Sequence, residues 1–369
     1  MPVVDARVSC QVHDSFRVQQ VAGMFDVPLA KRAAERFSVE LPGDDEAWDI
    51  GLIVGPSGSG KSTVARRRYG AALDDRAAWP RDKAVIDAFG EAPTRKIIEL
   101  LTAVGFSSPP SWIKPYHALS CGEQFRCDLA RALAIGFGHG STDDRDATRT
   151  IVAFDEFTSV VDRHVAKACS AAIAKGVRSG ALAVRLVAVT CHYDVAPWLE
   201  PDWTLDMATK RLDRRRLRRP SIDVQIHRCG RTAWNLFARH HYLSGALAQG
   251  ARCYLAVWHD QPVTFCATTT LIGKRRHRRV TRVVTLPDYQ GLGVGMRVVA
   301  AVASLHRREG LRLNITGSHP SVVRHCQRSP LWKTVCVKKT GASARSSRRY
   351  AGYVSSAGRA VVSFEYVGD

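Results

Sequence analysis

Gly55-Pro56-Ser57-Gly58-Ser59-Gly60-Lys61-Ser62-Thr63 stands between a short apolar run, Trp48–Val54, and a helix-compatible segment, Val64–Tyr69. Glycines at this spacing let the backbone curl so that its N–H groups face an anion at the positive end of a helix starting near Lys61. Lys61 then supplies a point charge to the β- and γ-phosphates of a nucleotide, and the Ser62 hydroxyl can ligate Mg²⁺. The alternative, a chance glycine-rich turn, does not account for the strand before the loop and the helix after it.

A phosphate loop needs a second, acidic site for its metal. Thr150–Phe154 is a β-branched and apolar run ending in Asp155-Glu156, the pattern of a buried parallel strand that delivers acids at its C-terminal end. Asp155 would hold Mg²⁺, mostly through water, and Glu156 would polarise the attacking water. Leu119-Ser120-Cys121-Gly122-Glu123-Gln124 precedes a helical stretch, Phe125–Ile135, which puts Ser120 at a helix N-terminus. The apolar strand Leu186–Thr190 runs into Cys191-His192-Tyr193-Asp194.

With these elements in this order, the chain resembles the ATP-binding-cassette (ABC) ATPases over about residues 15–210. Ser120–Gln124 resembles their signature motif, Ser159-Val160-Val161-Asp162 the loop after the Walker B acids, and His192 the switch histidine. The resemblance implies ATP and Mg²⁺ as cofactors. It implies nucleotide binding by Gly55, Ser57, Gly58, Ser59, Gly60, Lys61, Ser62 and Thr63, with metal held by Ser62 and Asp155, and catalysis by Glu156 and His192. It also implies an ATP-dependent homodimer in which Ser120, Gly122 and Glu123 of one protomer act in trans on the nucleotide held by the other.

Departures from the family pattern are informative. Only 59 positions separate Lys61 from Ser120, so the helical subdomain between them must be small. No glutamine occurs between Lys61 and Glu123, and Glu123 itself stands where the signature usually has glutamine. No apolar run reaches the roughly 18 residues that a membrane helix needs. These features weaken a transporter reading. Phe16 and Phe25 precede the loop in a segment read as strand-rich, where the family stacks an aromatic on the base; core packing is the favoured reading of both. The first residues lack the basic and apolar regions of a signal peptide. The ten cysteines form no C-x-x-C pair and several sit in apolar runs, so a cytoplasmic protein with reduced thiols and no membrane association is expected.

Charge divides the chain. Residues 211–369 carry 29 Lys+Arg against 7 Asp+Glu, whereas residues 1–210 carry 25 against 27. Such asymmetry implies a polyanionic partner for the C-terminal half, nucleic acid and most simply DNA. Residues 1–210 read as the ATPase domain, 211–220 as a basic linker and 221–369 as a second domain. Arg214, Arg215 and Arg216 in the linker and Lys274, Arg275, Arg276, Arg278 and Arg279 further on are the candidate nucleic-acid contacts, with Lys338–Arg349 a further basic stretch.

The second domain mixes short strands at Asp223–His227, Tyr254–Trp258, Pro262–Thr269 and Thr281–Leu286 with a helical segment at Thr232–Tyr242. Tyr289-Gln290-Gly291-Leu292-Gly293-Val294-Gly295-Met296 then opens a helix to about Arg308. A Rossmann site would need an acid ending the next strand, and Leu311–Thr316 carries none. Strand, Pro287, glycine loop and helix instead resemble the acyl-CoA loop of the GNAT acetyltransferases. That resemblance implies acetyl-CoA or another acyl-CoA as cofactor, with Gln290, Gly291, Gly293 and Gly295 against its pyrophosphate and Leu286 near the pantetheine arm. It also implies that strand Thr281–Leu286 splays from its neighbour. His319 is a candidate catalytic base beyond the opposite strand, and His241 and Tyr242 are acceptor-side candidates. The layout is also distantly similar to Mom-type GNAT proteins, which modify DNA bases.

The expected fold class is α/β: an ABC-type P-loop NTPase domain followed by a mixed α/β GNAT-like acyltransferase domain. The expected function is that of an ATPase joined to an N-acyltransferase acting on nucleic acid. The rivals are an SMC-like DNA clamp with a non-catalytic GNAT-like domain, a small-molecule N-acetyltransferase and a transporter subunit.

Overall fold

A computed structural model describes residues 2–29, 32–73, 78–134, 149–241, 246–339 and 360–368. Its elements, in chain order, are β1 (Val3–Gln11), α1 (Phe16–Phe25), β2 (Arg32–Glu40), β3 (Ile50–Val54), α2 (Lys61–Tyr69), α3 (Thr94–Ala103), α4 (Pro109–Trp112), α5 (Cys121–Ala134) and β4 (Thr150–Phe154). There follow α6 (Arg163–Arg178), β5 (Val184–Thr190), α7 (Ala196–Leu199), β6 (Trp203–Asp206) and β7 (Arg211–Asp213). The remainder is β8 (Gln225–Cys229), α8 (Trp234–Phe237), β9 (Arg252–Trp258), β10 (Gln261–Thr270), β11 (His277–Thr285), α9 (Val294–Arg308), β12 (Arg312–Gly317), α10 (Pro320–Arg328), β13 (Trp332–Lys338) and β14 (Val361–Tyr366).

These elements form two compact units that do not follow the chain in two blocks. The first comprises residues 1–76, 135–160 and 183–218, and the second comprises 77–134, 161–182 and 219–369. The helical segments that precede and follow β4 thus cluster with the C-terminal sheet, whereas sequence alone assigned them to the ATPase. In that unit Ala172 of α6 stands beside Gly291, and Glu99 of α3 pairs with Arg324 of α10.

In the first unit the strand order is β4-β5-β3-β6-β7, parallel except for the last pair. All seven residues of β5 and all five of β3 are buried. Continuous β-branched and apolar runs are what a strand covered on both faces requires. β7 lies inside the segment expected to be a linker and extends this sheet. The β1–β2 hairpin pairs separately, and Phe37 and Val39 join the buried cluster that holds Val64, Tyr69 and Trp203.

In the second unit seven strands run in the order β13-β14-β12-β11-β10-β9-β8. The β9–β10 turn sits at His259 and Asp260, both with left-handed φ (48° and 60°). β11 pairs in parallel with β12 only from His277↔Arg312 to Val280↔Ile315, although β11 continues to Thr285. The two strands therefore part beyond Val280, and the chain as a whole is α/β. The expected helix 232–242 is broken into short turns around α8. β11 starts four residues before the expected strand.

His306 of α9 is fully buried. Its Nε2 lies 3.0 Å from Thr268 Oγ1 and 3.4 Å from the Tyr254 hydroxyl. Burial, with Arg278 close by, pushes its pKa down to about 4, against a smaller opposing pull from Glu309. Between about pH 6.5 and 4 the unfolded chain therefore binds a proton that the folded chain does not, so stability falls as pH drops through that window. A shift of this size corresponds to about 3 kcal/mol. Denaturant midpoints measured from pH 7 to pH 4 are expected to fall, and His306→Gln is expected to flatten the slope; an unchanged slope overturns the assignment.

All ten cysteines are free, five of them buried. Among the described residues no helix is long and apolar enough to cross a membrane, and no cluster of three or more His, Cys, Asp or Glu is arranged to hold a metal.

Candidate functional site

Within the first unit, β3 leads into the glycine loop at the C-terminal edge of the sheet. Gly58 and Gly60 take left-handed φ values of 78° and 83°, and a Cβ on Gly60 would enter the Phe37 ring. Lys61 opens α2, and its Nζ donates to the Pro56 carbonyl at 2.7 Å. Ser62 Oγ donates to Asp155 Oδ1 at 3.1 Å. A hydroxyl and a carboxylate side by side are the hard oxygen donors that Mg²⁺ prefers, so the two predicted metal residues fit the ion. Glu156 is exposed and has φ 54°; its N–H donates to Asp155 Oδ1 at 2.9 Å. Phe157 N–H donates to Val189 O at 2.8 Å, tying the acidic turn to β5. Thr158 Oγ1 lies 3.4 Å from His192 Nδ1, and His192 N–H donates to Thr190 Oγ1 at 3.1 Å. Loop, acids and histidine thus meet at the ends of β3, β4 and β5.

Phe16 and Phe25 do not belong to this group. They bracket α1, a helix where a strand-rich segment was expected, and at 78% and 73% exposure neither is core.

Ser120–Gln124, expected to act as a signature motif, belongs to the second unit. Ser120 and Glu123 form a capping box: Ser120 N–H and Oγ–H donate to Glu123 Oε2 at 3.1 and 3.0 Å, and Glu123 N–H reaches Ser120 Oγ at 3.4 Å. Ser111 Oγ donates to Glu123 Oε1 at 2.7 Å. Burial alone would raise the carboxyl pKa, but these hydrogen bonds outweigh it and hold it below the usual value. The Ser120 hydroxyl proton is therefore committed to Glu123.

In the same unit the second glycine loop joins β11 to α9. Gly291 and Gly293 have φ 89° and 78°, and Gly291, Gly293 and Gly295 line a cavity of about 240 Å³ between the parting strands. Gln290 lines it too, but its side chain is held on both sides: Oε1 accepts from Ser107 N–H at 2.8 Å and Nε2 donates to Thr285 O at 3.1 Å. Leu286 packs instead with the cluster around Trp234 and Phe265.

Arg126, which sequence reading missed, explains much of how this loop is held. It is buried within α5, and its guanidinium donates to Gly122 O at 3.2 Å and to Pro287 O at 2.8 Å. One side chain thus bridges Gly122 and the start of the second glycine loop. The partners lie 161 positions apart, which no local pattern could reveal.

His240, His241 and His319 all line the cavity. His319 Nδ1 accepts the Ser321 N–H at 3.3 Å and caps α10. In the neutral ring that assigns the proton to Nε2, which is buried without a hydrogen-bond partner. The lone pair a base would use is therefore occupied, contrary to the expectation of a catalytic base there. His240 Nε2 accepts from Arg239 Nε at 3.1 Å, and burial lowers its pKa. His241 stands edge-on to Trp234, with ring centroids 5.7 Å apart. Tyr242 lies outside the described residues, as does most of Lys338–Arg349.

The basic residues separate into two groups. Lys274, Arg275 and Arg276 are exposed and Arg279 is half-buried. Arg278, by contrast, is buried in β11 and donates to Thr268 Oγ1 and O at 3.1 and 2.8 Å, so it has no surface to offer a nucleic acid. Arg214 pairs with Glu46, and Arg216 with Glu200 at 3.7 Å; Arg215 is exposed.

No protein-family profile matches the chain, and no curated protein matches it in sequence. Solved structures of two kinds are similar to parts of it. A bacterial Atm1-family ABC exporter with ATP bound is 18% identical over 46% of this chain and 33% of its own, with a TM-score of 0.34. A dimeric bacterial ABC transporter cassette is 15% identical over 46% of this chain and 83% of its own, with a TM-score of 0.35. The ribosomal-protein-S18-alanine N-acetyltransferase from Escherichia coli is 10% identical over 40% of this chain and 97% of its own, with a TM-score of 0.30. The chain thus spans about a third of the exporter's length and nearly all of the acetyltransferase's. Likeness at this level assigns no function to this chain.

Proposed function

We propose that the chain is an Mg²⁺-dependent ATPase of the ABC type that also carries an acyl-CoA-dependent N-acyltransferase site, with an amino group presented by nucleic acid as acceptor. The observation that carries the reading is that one chain holds two glycine loops of left-handed φ, each opening a helix at a sheet edge. One faces the Ser62–Asp155 pair and the other lines a cavity between parting strands.

At the first loop, main-chain amides and Lys61 hold the triphosphate, while Ser62 and Asp155 hold the metal. The ion, when bound, neutralises charge building on the transferred phosphoryl group. Glu156 orients and polarises the attacking water, and His192, positioned by Thr158, meets the γ-phosphate. Two copies of the chain pair head to tail, with Ser120 and Gly122 closing on the nucleotide of the partner. At the second loop, the acceptor nitrogen attacks the thioester carbonyl carbon, the C–S bond breaks and CoA leaves as the thiolate, while His241 takes the amine proton and passes it to that thiolate. None of the described cavity-lining residues is Asp or Glu. A weakly basic amine on a polyanion suits the site, and the exposed Lys274–Arg276 turn offers the phosphate contacts.

Calorimetry with ATP, acetyl-CoA and duplex DNA tests this. Lys61→Ala is expected to weaken Mg·ATP binding by about 10²-fold, the loss of charge-assisted contacts to phosphate, and to leave acetyl-CoA binding unchanged. Retention of ATP affinity in the variant overturns the nucleotide assignment, and absence of acetyl-CoA binding in the unmodified protein overturns the acyl-transfer assignment.

A further inference from the structure

Two cations, Lys175 and Arg297, stand beside the second glycine loop. Lys175 lies in the last turn of α6, and a Cβ built on Gly293 would stand 3.6 Å from its Nζ. Arg297 lies in the first turns of α9, close enough to Lys175 that partial burial, Arg297 and Arg219 together lower the lysine's pKa. His325 of α10 is lowered by burial and by the same Lys175 and Arg297. Among the described residues neither Lys175 nor Arg297 has a hydrogen bond or ion pair to a carboxylate. Clustered like charges are unfavourable without a counter-ion, and a cation held against a glycine loop at a helix N-terminus has the geometry of a phosphate clamp.

We propose that Lys175 and Arg297 grip the phosphates of the acyl-CoA, so that a helix from the ATPase-type part of the sequence completes the cofactor site of the seven-stranded sheet. This rests on the acyl-CoA reading above and adds to it a ligand-binding residue that lies 118 positions before Gly293, outside the region that resembles an acetyltransferase. The division of labour follows from position. The cavity between β11 and β12 takes the thioester and its uncharged arm, the loop amides face the diphosphate, and Lys175 and Arg297 supply the opposing charge.

The test uses the full chain and two probes, acetyl-CoA and S-acetylpantetheine, which shares the thioester arm but carries no phosphate. Lys175→Ala and Arg297→Ala are each expected to raise the Kd for acetyl-CoA by about 10-fold or more, the loss of a charge-assisted contact. Neither should change the weaker binding of S-acetylpantetheine, and Lys175→Arg should keep most of the affinity. Lys175→Ala is expected to leave the fold intact, which thermal denaturation checks. If the unmodified protein binds acetyl-CoA and Lys175→Ala binds it equally well, the composite site is wrong while the acyl-CoA reading stands. If the unmodified protein binds neither probe, both fall.

Discussion

Glu156→Gln is expected to lower steady-state ATP turnover by about 10²–10⁴-fold, the usual range for loss of a positioned general base, with Mg·ATP affinity changed only a few-fold. Three features single this residue out. It is the second residue past β4, whose buried run Val152–Phe154 delivers Asp155 and Glu156 to the sheet edge. Its backbone is held at φ 54°, a conformation that costs a non-glycine residue about 1 kcal/mol or more and persists because Asp155 Oδ1 and Val189 O anchor the N–H groups of Glu156 and Phe157. Its own side chain is exposed, whereas Asp155 is engaged with Ser62. Glutamine keeps the shape and the anchors but cannot accept the proton. Phosphate release measured against ATP binding separates the two effects. A variant that turns over within a few-fold of the unmodified protein removes Glu156 from the reaction. By light scattering the same variant should accumulate as an ATP-bound dimer, and a persistent monomer counts against the paired mechanism.

Gly291→Val is expected to destabilise the second unit by about 3 kcal/mol or more, because backbone strain and overpacking act together. A Cβ at Gly291 would sit 2.5 Å from Ala172 Cβ and 3.0 Å from Gly105 Cα, and the residue's φ is 89°. Gly310→Val is the matched control: its φ is 73°, yet nothing lies within 4 Å of a Cβ built there. The control carries the strain without the crowding, so the difference between the two denaturation midpoints isolates the packed seam of Gly105, Ala172 and Gly291. Equal midpoints would mean that no such seam exists. Acetyl-CoA binding should also be lost in Gly291→Val, since the loop cannot keep its course beside α6.

The parts of this arrangement that sequence made legible are local. Thr150–Phe154 is a strand with the expected bounds because five apolar residues ending in two acids admit few other structures. The glycine loop at Gly55–Thr63 is likewise written in residues that suit left-handed backbone angles. What stayed hidden depends on distant partners. Gln290 was expected to face a pyrophosphate, but Ser107 and Thr285 hold its side chain. Arg278 sits in a run of cations that reads as surface, and only the presence of Thr268 on the adjoining strand shows that it points inward. The candidate base His319 turned out to cap a helix, a role signalled in sequence by the Pro320 that follows it. Phe16 and Phe25 were misplaced because a short amphipathic helix between two strands has too few turns to stand out.

The interleaving of the two units also bears on how the chain can be divided. The stretch between Leu212 and Gln225 looks like the natural place to separate two independent proteins. Yet residues 219–369 pack with 77–134 and 161–182, through Arg126, Gly105 and Ala172. A fragment starting at Gln225 would leave its glycine loop bare, and a fragment ending at Leu212 would expose the faces of α5 and α6 that the loop covers. Nicking the chain there should leave the pieces bound to each other, and neither piece could be moved to another protein by a single exchange of gene segments.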